Sequence, residues 1–232
     1  MLQDIKTLYG SKIAAIDGDI GHVKDFYFDD KTWVIRYLVV DTGSWLAERA
    51  VLLSPHAFGK WDQFEGALHI KLTKRQIEGS PSIDAHTPVS RNFEIDYYRY
   101  YGWPAYWTGS SLWGTSGYPM VVNSPDAAAA ADGVRHHHRA DKHLQSALAI
   151  KGYAIHASDG EIGHVAGFLV NDRSWVIHNV VVDAGGWISC KEILIAPGSV
   201  DRISYEDSMV FVKLSKADIE RTSDRGLAKT ST

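Results

Sequence analysis

The chain of 232 residues contains a single cysteine, Cys190. No disulfide can form within it, and zinc sites built from several cysteines are excluded. It has no apolar run near the roughly 18–20 residues that span a bilayer. It also lacks a basic excess: Lys plus Arg is 24 against 28 for Asp plus Glu, a net charge of −4. A protein held mainly by nucleic-acid phosphates needs the opposite balance, so no nucleic-acid partner is expected. The sequence has no GxxxxGK[ST], HExxH or GxSxG motif and no dinucleotide-binding fingerprint. Gly18-x-x-Gly21 belongs to a hairpin with no helix behind it to hold phosphate. No catalytic residue and no cofactor are therefore assigned, and an enzyme is not expected. The opening MLQDIKTLYG places Asp4 where a signal peptide needs an apolar core. With the lone cysteine, this makes a reducing, cytoplasmic location the expectation.

What the chain does have is an internal repeat, at an offset of 142 residues. Gly10–Val23 reads GSKIAAIDGDIGHV, and Gly152–Val165 reads GYAIHASDGEIGHV. The match continues without a gap. Trp33-Val34-Ile35 meets Trp175-Val176-Ile177, and Val39-Val40-Asp41 meets Val181-Val182-Asp183. Trp45 meets Trp187, Pro55 meets Pro197, and Lys71–Glu78 meets Lys213–Glu220. Units of this length are complete folds rather than solenoid repeats. The expected organisation is a first repeat at 1–84, a linker at 85–146, a second repeat at 147–222 and a polar tail at 223–232.

Within each repeat the pattern is that of short strands. Asp17-Gly18 and Asp159-Gly160 are hairpin turn signals. Ile20–Phe28 alternates, and Trp33–Val40 is rich in β-branched and aromatic residues. Both faces of the latter are largely apolar, which predicts a strand covered on both sides. Arg36 interrupts one face, and its counterpart is His178. Thr73 and Ser215 are N-cap candidates for short terminal helices. Five or six short strands in about 75 residues cannot bury both faces of an open sheet, and a small closed barrel solves that problem.

The combined pattern, from Asp17 to Asp41 and from Asp159 to Asp183 with Val51-Leu52-Leu53-Ser54-Pro55, resembles the PRC-barrel domain. That domain is shared by the cytoplasmic part of the photosynthetic reaction-centre H subunit and the C-terminal half of the ribosome maturation factor RimM. The resemblance covers Gly10–Glu78 and Gly152–Glu220. It implies an all-β chain with two small six-stranded barrels in tandem, each with a short C-terminal helix. It also implies protein–protein docking, since the relatives' barrels sit on membrane reaction-centre subunits or on ribosomal protein. Peripheral association with a membrane complex fits that pattern.

Between the repeats the run Tyr97–Trp107 is dense in aromatic rings. Basic residues are too sparse around it for stacking on nucleic-acid bases. Two readings remain: rings that fill the space beside the barrels, each burying roughly 150–250 Å², or low-entropy anchors for a partner. Tyr97, Tyr98, Tyr101, Trp103, Tyr106 and Trp107 are the candidate contact residues for either reading. Trp45 and Trp187 join them, from equivalent loops that need cover. His136, His137 and His138 with His143 are the metal candidates. Adjacent residues of an extended chain point in opposite directions, and Arg135 and Arg139 repel a cation, so no metal is assigned. His22 and His164 read as strand histidines beside hairpins, with a proton relay as the sharper alternative. The functional expectation is a non-catalytic docking scaffold or adaptor, forming a homodimer, with an unidentified protein partner. The alternative is a ligand- or metal-binding sensor that uses the His-rich linker or an interbarrel cleft.

Overall fold

A computed structural model of the chain describes residues 1–46, 51–62, 64–82, 89–121, 144–185 and 192–227, the last six of these by backbone alone. The chain divides into two units. The first holds residues 7–146 with 173–175, and the second holds residues 1–6, 147–172 and 176–232.

The first repeat runs β1 (Leu2–Asp4), β2 (Lys12–Ala15), β3 (Gly18–Asp29), β4 (Val34–Asp41), β5 (Val51–Leu53), β6 (Phe58–Asp62), β7 (Ala67–Ile70) and helix α1 (Lys74–Glu78). The sheet of the first unit has the order β5-β4-β3-β2-β7-β6. Its neighbours are antiparallel except β2 and β7, which run parallel. The Asp17-Gly18 turn joins β2 to β3 as the hairpin signal predicts, and Asp17 Oδ1 accepts the Lys74 N–H at 2.8 Å. Gly21 of the repeated Ile-Gly-His-Val motif has φ +140°, and a Cβ there would fall on the Asp41 carbonyl. Gly163 repeats both features against Asp183, which explains in backbone terms why both copies carry glycine. All seven residues Val34–Val40 are buried, as a strand covered on both sides must be. Thr73 caps α1 with a full capping box to Gln76.

The second repeat follows the same plan: β8 (Leu144–Ser146), β9 (Ala154–Ala157), β10 (Gly160–Asn171), β11 (Ile177–Asp183), β12 (Glu192–Ile195), β13 (Val200–Ser204) and β14 (Met209–Val212). A helix over Lys216–Leu227 ends the described chain. The sheet order is β12-β11-β10-β9-β14-β13, the first unit's order element for element.

Each sheet has seven strands rather than the six expected. The long strand β3 is zipped to β2 over its first half, and its second half, Tyr27–Asp29, takes β8. In the same way β10 pairs with β9 over its first half and takes β1 along Leu169–Asn171. Leu2 and Leu144 are equivalent by sequence, so each repeat's leading strand completes the other repeat's sheet. The borrowed strands leave fewer bare edges, as sheets generally require.

The expected closed barrel is also modified. No ladder joins β5 to β6, or β12 to β13, among the described residues. The chain turns the corner through one-turn 3₁₀ helices at Pro55–Ala57 and Pro197–Ser199. Proline has no N–H to give to a ladder, so this corner is made by a turn and not by pairing. Trp33 and Trp175 both sit at positive φ, 56° and 57°, an uncommon conformation for a bulky residue that both repeats share. No helix among the described residues is long and apolar enough to cross a membrane.

Candidate functional site

The segment after α1 folds into helix α2 (Arg91–Tyr101), which the aromatic composition had not signalled as helical. Ser90 caps it by accepting the Phe93 N–H, and Gly102 ends it in the left-handed conformation at φ 67°. Glu94, Ile95, Tyr97 and Tyr98 form its buried stripe, the i, i+1, i+3, i+4 spacing of one helix face.

That stripe lies on β4 and β5. The Tyr97 hydroxyl donates to the Leu52 carbonyl at 2.8 Å and accepts the Ser54 N–H at 3.1 Å. It satisfies two backbone groups at the end of β5, where the ladder stops. The Tyr97 ring meets Tyr37 of β4 edge-on at 5.4 Å. Glu94 is fully buried. Its Oε1 accepts from the hydroxyls of Tyr37 at 3.1 Å and Tyr106 at 2.8 Å, and its Oε2 pairs with Arg91 at 2.8 Å. A charge with this many partners meets the conditions under which burial is tolerated. Burial pushes the phenols of Tyr37, Tyr97 and Tyr106 well above their ordinary range, with the Glu94 charge adding to it at Tyr37 and Tyr106.

Arg36 of β4 is 1% exposed. Its guanidinium sits 3.7 Å from the Tyr106 ring centre and 4.8 Å from that of Trp113. Trp113 is fixed in turn by donating Nε1–H to the Ser174 carbonyl at 2.8 Å. His56, on the corner turn after β5, shares its Nδ1 with the Ser54 hydroxyl at 3.0 Å and stacks on Trp103. Burial, with the Arg36 charge behind it, pushes the imidazole pKa down to about 3. It is therefore a neutral aromatic ring at physiological pH.

Beside this layer lies an open cleft of about 860 Å³. Its walls are the corner turn Pro55–Phe58, Leu72, the end of α2 with Tyr100, Tyr101 and Trp103, and the strip Pro119–Val121. Lys71 and Gln76 stand in its lining. Tyr100, Met120 and Val121 are 43%, 42% and 50% exposed. The volume falls within the range of small-molecule and short-peptide sites.

Of the contact residues the sequence singled out, Tyr97, Tyr98, Trp103 and Tyr106 are buried, while Tyr101 and Trp107 are half-buried. Tyr101 and Trp103 reach the cleft wall. Trp45 is half-buried beneath Lys74, whose Nζ lies 5.6 Å from its ring. Trp187, Cys190 and His136, His137, His138 and His143 lie outside the described residues. His22 and His164 are exposed strand residues. Asp41 and Asp183 accept from the Gly43 and Gly185 N–H groups. Sequence reasoning missed Glu94, His56, Tyr37 and Tyr100. The mismatch between the repeats carried part of that signal: Tyr37, Ser54 and His56 stand opposite Asn179, Ala196 and Gly198.

No curated protein matches the chain. The family model of the PRC-barrel domain matches residues 4–77, from the borrowed strand β1 to helix α1. The Ile-Gly-His-Val hairpin, the buried strand β4 and the proline corner all fall inside that match, so it is the first repeat that is similar to the PRC-barrel domain.

Proposed function

We propose that this chain is a non-catalytic docking protein whose first unit receives an extended segment of a partner protein in the aromatic cleft. The observation that carries the reading is the cleft itself. Tyr100, Met120 and Val121 stay exposed around it, although the rest of the aromatic layer has packed inward. Exposed apolar side chains gathered around one cleft are the usual anchor points of an interface. Lys71 is the charged residue in the lining, and His56 behind it is neutral. The partner segment that fits is one with aromatic or aliphatic side chains next to an acidic residue. The helix and its hydrogen bonds to β5 hold the wall still, which lowers the ordering cost of binding.

A photo-crosslinking residue at Tyr100 tests this, with the same residue at Tyr205 of the second unit as control. The expected result is a defined protein captured at Tyr100 and not at Tyr205. Binding of that purified protein then falls about tenfold in Met120→Glu and in Lys71→Glu. Equal capture at both positions, or unchanged affinity in both variants, contradicts the reading.

A further inference from the structure

A second pocket, of about 500 Å³, opens on the other side of the aromatic layer in the first unit. Arg36 forms part of its wall, and the partners of that guanidinium are unusual for a buried charge. Nη1 donates to the Leu112 carbonyl at 2.6 Å, and Nη2 donates to the Thr32 hydroxyl at 3.3 Å. Its acidic neighbour, Asp29 Oδ2, lies 3.9 Å away, beyond hydrogen-bond reach. The other Asp29 oxygen is committed to the Lys31 and Thr32 N–H groups. The Arg36 Nε–H has no acceptor. A cation 1% exposed is thus held by a carbonyl, a hydroxyl and two ring faces, with no carboxylate in direct contact. A buried guanidinium ordinarily takes an oxyanion in its fork.

Trp107, which also lines the pocket, carries a second buried N–H without an acceptor, its Nε1. Arg91, also in its wall, is closely matched by Glu94 at 2.8 Å, whereas the only carboxylate paired with Arg36 among the described residues is Asp29, in the same wall and looser at 3.9 Å. The remaining polar lining includes the hydroxyl residues Thr32, Ser110 and Ser111. A donor-rich wall around an under-neutralised arginine matches one ligand chemistry.

We infer that the Arg36 pocket binds a small oxyanion, taken by the Arg36 guanidinium and the Trp107 indole N–H. The site is separate from the docking cleft and does not depend on it. The shared chemistry is that of a carboxylate or a phosphate, and the volume admits either with a small body attached. Bound there, the anion would complete the pairing of Arg36 and fasten the loop Gly109–Leu112 against β4.

The test is a titration of the full ¹⁵N-labelled chain with acetate in one arm and inorganic phosphate in the other, against chloride at matched ionic strength. The indole and arginine Nε–H signals are read directly. The expected result is a saturating shift of the Trp107 and Arg36 signals with one of the two anions, half complete by about 10 mM. The Trp113 indole, already bonded to Ser174, should stay in place. Trp107→Phe keeps a ring against Arg91 and removes the donor, and should weaken binding about fivefold to tenfold. Arg36→Met should abolish it, and Trp107→Phe keeps the proposal falsifiable if that variant does not fold. No saturable shift with either anion, a response equalled by chloride, or unchanged binding in Trp107→Phe overturns it.

Discussion

The two repeats share a strand order, a hairpin glycine, a proline corner and a left-handed tryptophan, yet among the described residues the face over β4 and β5 is buried in the first and its counterpart is more exposed in the second. Arg36 of β4 is 1% exposed, while its counterpart His178 is exposed. Leu52 of β5 is 4% exposed, while Leu194 is 48% exposed. The cause is the segment between the repeats, which lies on β4 and β5 of the first unit. Where it lies, β4 carries Arg36 and Tyr37, and the corner after β5 carries Ser54 and His56. The second repeat has His178, Asn179, Ala196 and Gly198 at those places. A duplicated core keeps what packing requires in both copies. The residues that differ include those that answer to the added helix, and the cleft and the Arg36 pocket both lie among these.

That contrast can be broken most severely at Glu94. Removing it by Glu94→Ala leaves Arg91 and the hydroxyls of Tyr37 and Tyr106 buried without their acceptor. The expected loss is about 3–5 kcal/mol from the first unit, read as a drop in its urea midpoint. Glu94→Gln keeps an acceptor and should lose less.

Acid should weaken the first unit selectively. His56 has a folded pKa of about 3, against about 6.5 when unfolded. Between those values the unfolded chain binds the extra proton. The stabilisation is complete above about pH 6.5 and falls by about 1.4 kcal/mol per pH unit toward pH 3. Tryptophan fluorescence of the urea transition, measured across that range, should show the slope. His56→Gln should flatten it. The second repeat has Gly198, which does not titrate, at this position.

Smaller effects sharpen the same comparison. Tyr97→Phe removes one hydroxyl that serves Leu52 and Ser54, and should cost about 1 kcal/mol by chemical denaturation. His178→Ala, on the bare face of the second repeat, should stay within about 0.5 kcal/mol by the same measurement.

Much of this was legible in the sequence, and for identifiable reasons. The offset of 142 residues gave two copies of one fold. The Asp-Gly turns gave the hairpins, the apolar run gave β4, and Thr73 gave the cap of α1. Strands β6 and β13 went unseen because Phe58–Asp62 and Val200–Ser204 are half-polar and too short for alternation to stand out. The seventh strands β1 and β8 were hidden because a three-residue strand has no period of its own and pairs far away in sequence. Helix α2 was obscured by five aromatic residues in eleven, a composition poor in strong helix formers. Its caps, Ser90 and Gly102, were present to be read. The site was legible only as a set of rings. That Glu94 and Arg36 would be buried among them depends on tertiary contacts that no local pattern carries.

The central claim is that the aromatic segment covers β4 and β5 of the first repeat and, among the described residues, leaves the matching positions of the second exposed, and native-state amide hydrogen exchange tests it most directly. The Ser54 N–H is bonded to the Tyr97 hydroxyl at 3.1 Å. Its counterpart Ala196 lies on an exposed corner of the second repeat. The account predicts that Ser54 exchanges at least about a hundredfold more slowly than Ala196, and that Tyr97→Phe removes most of the difference. Equal exchange at the two positions in the unmodified chain would contradict it.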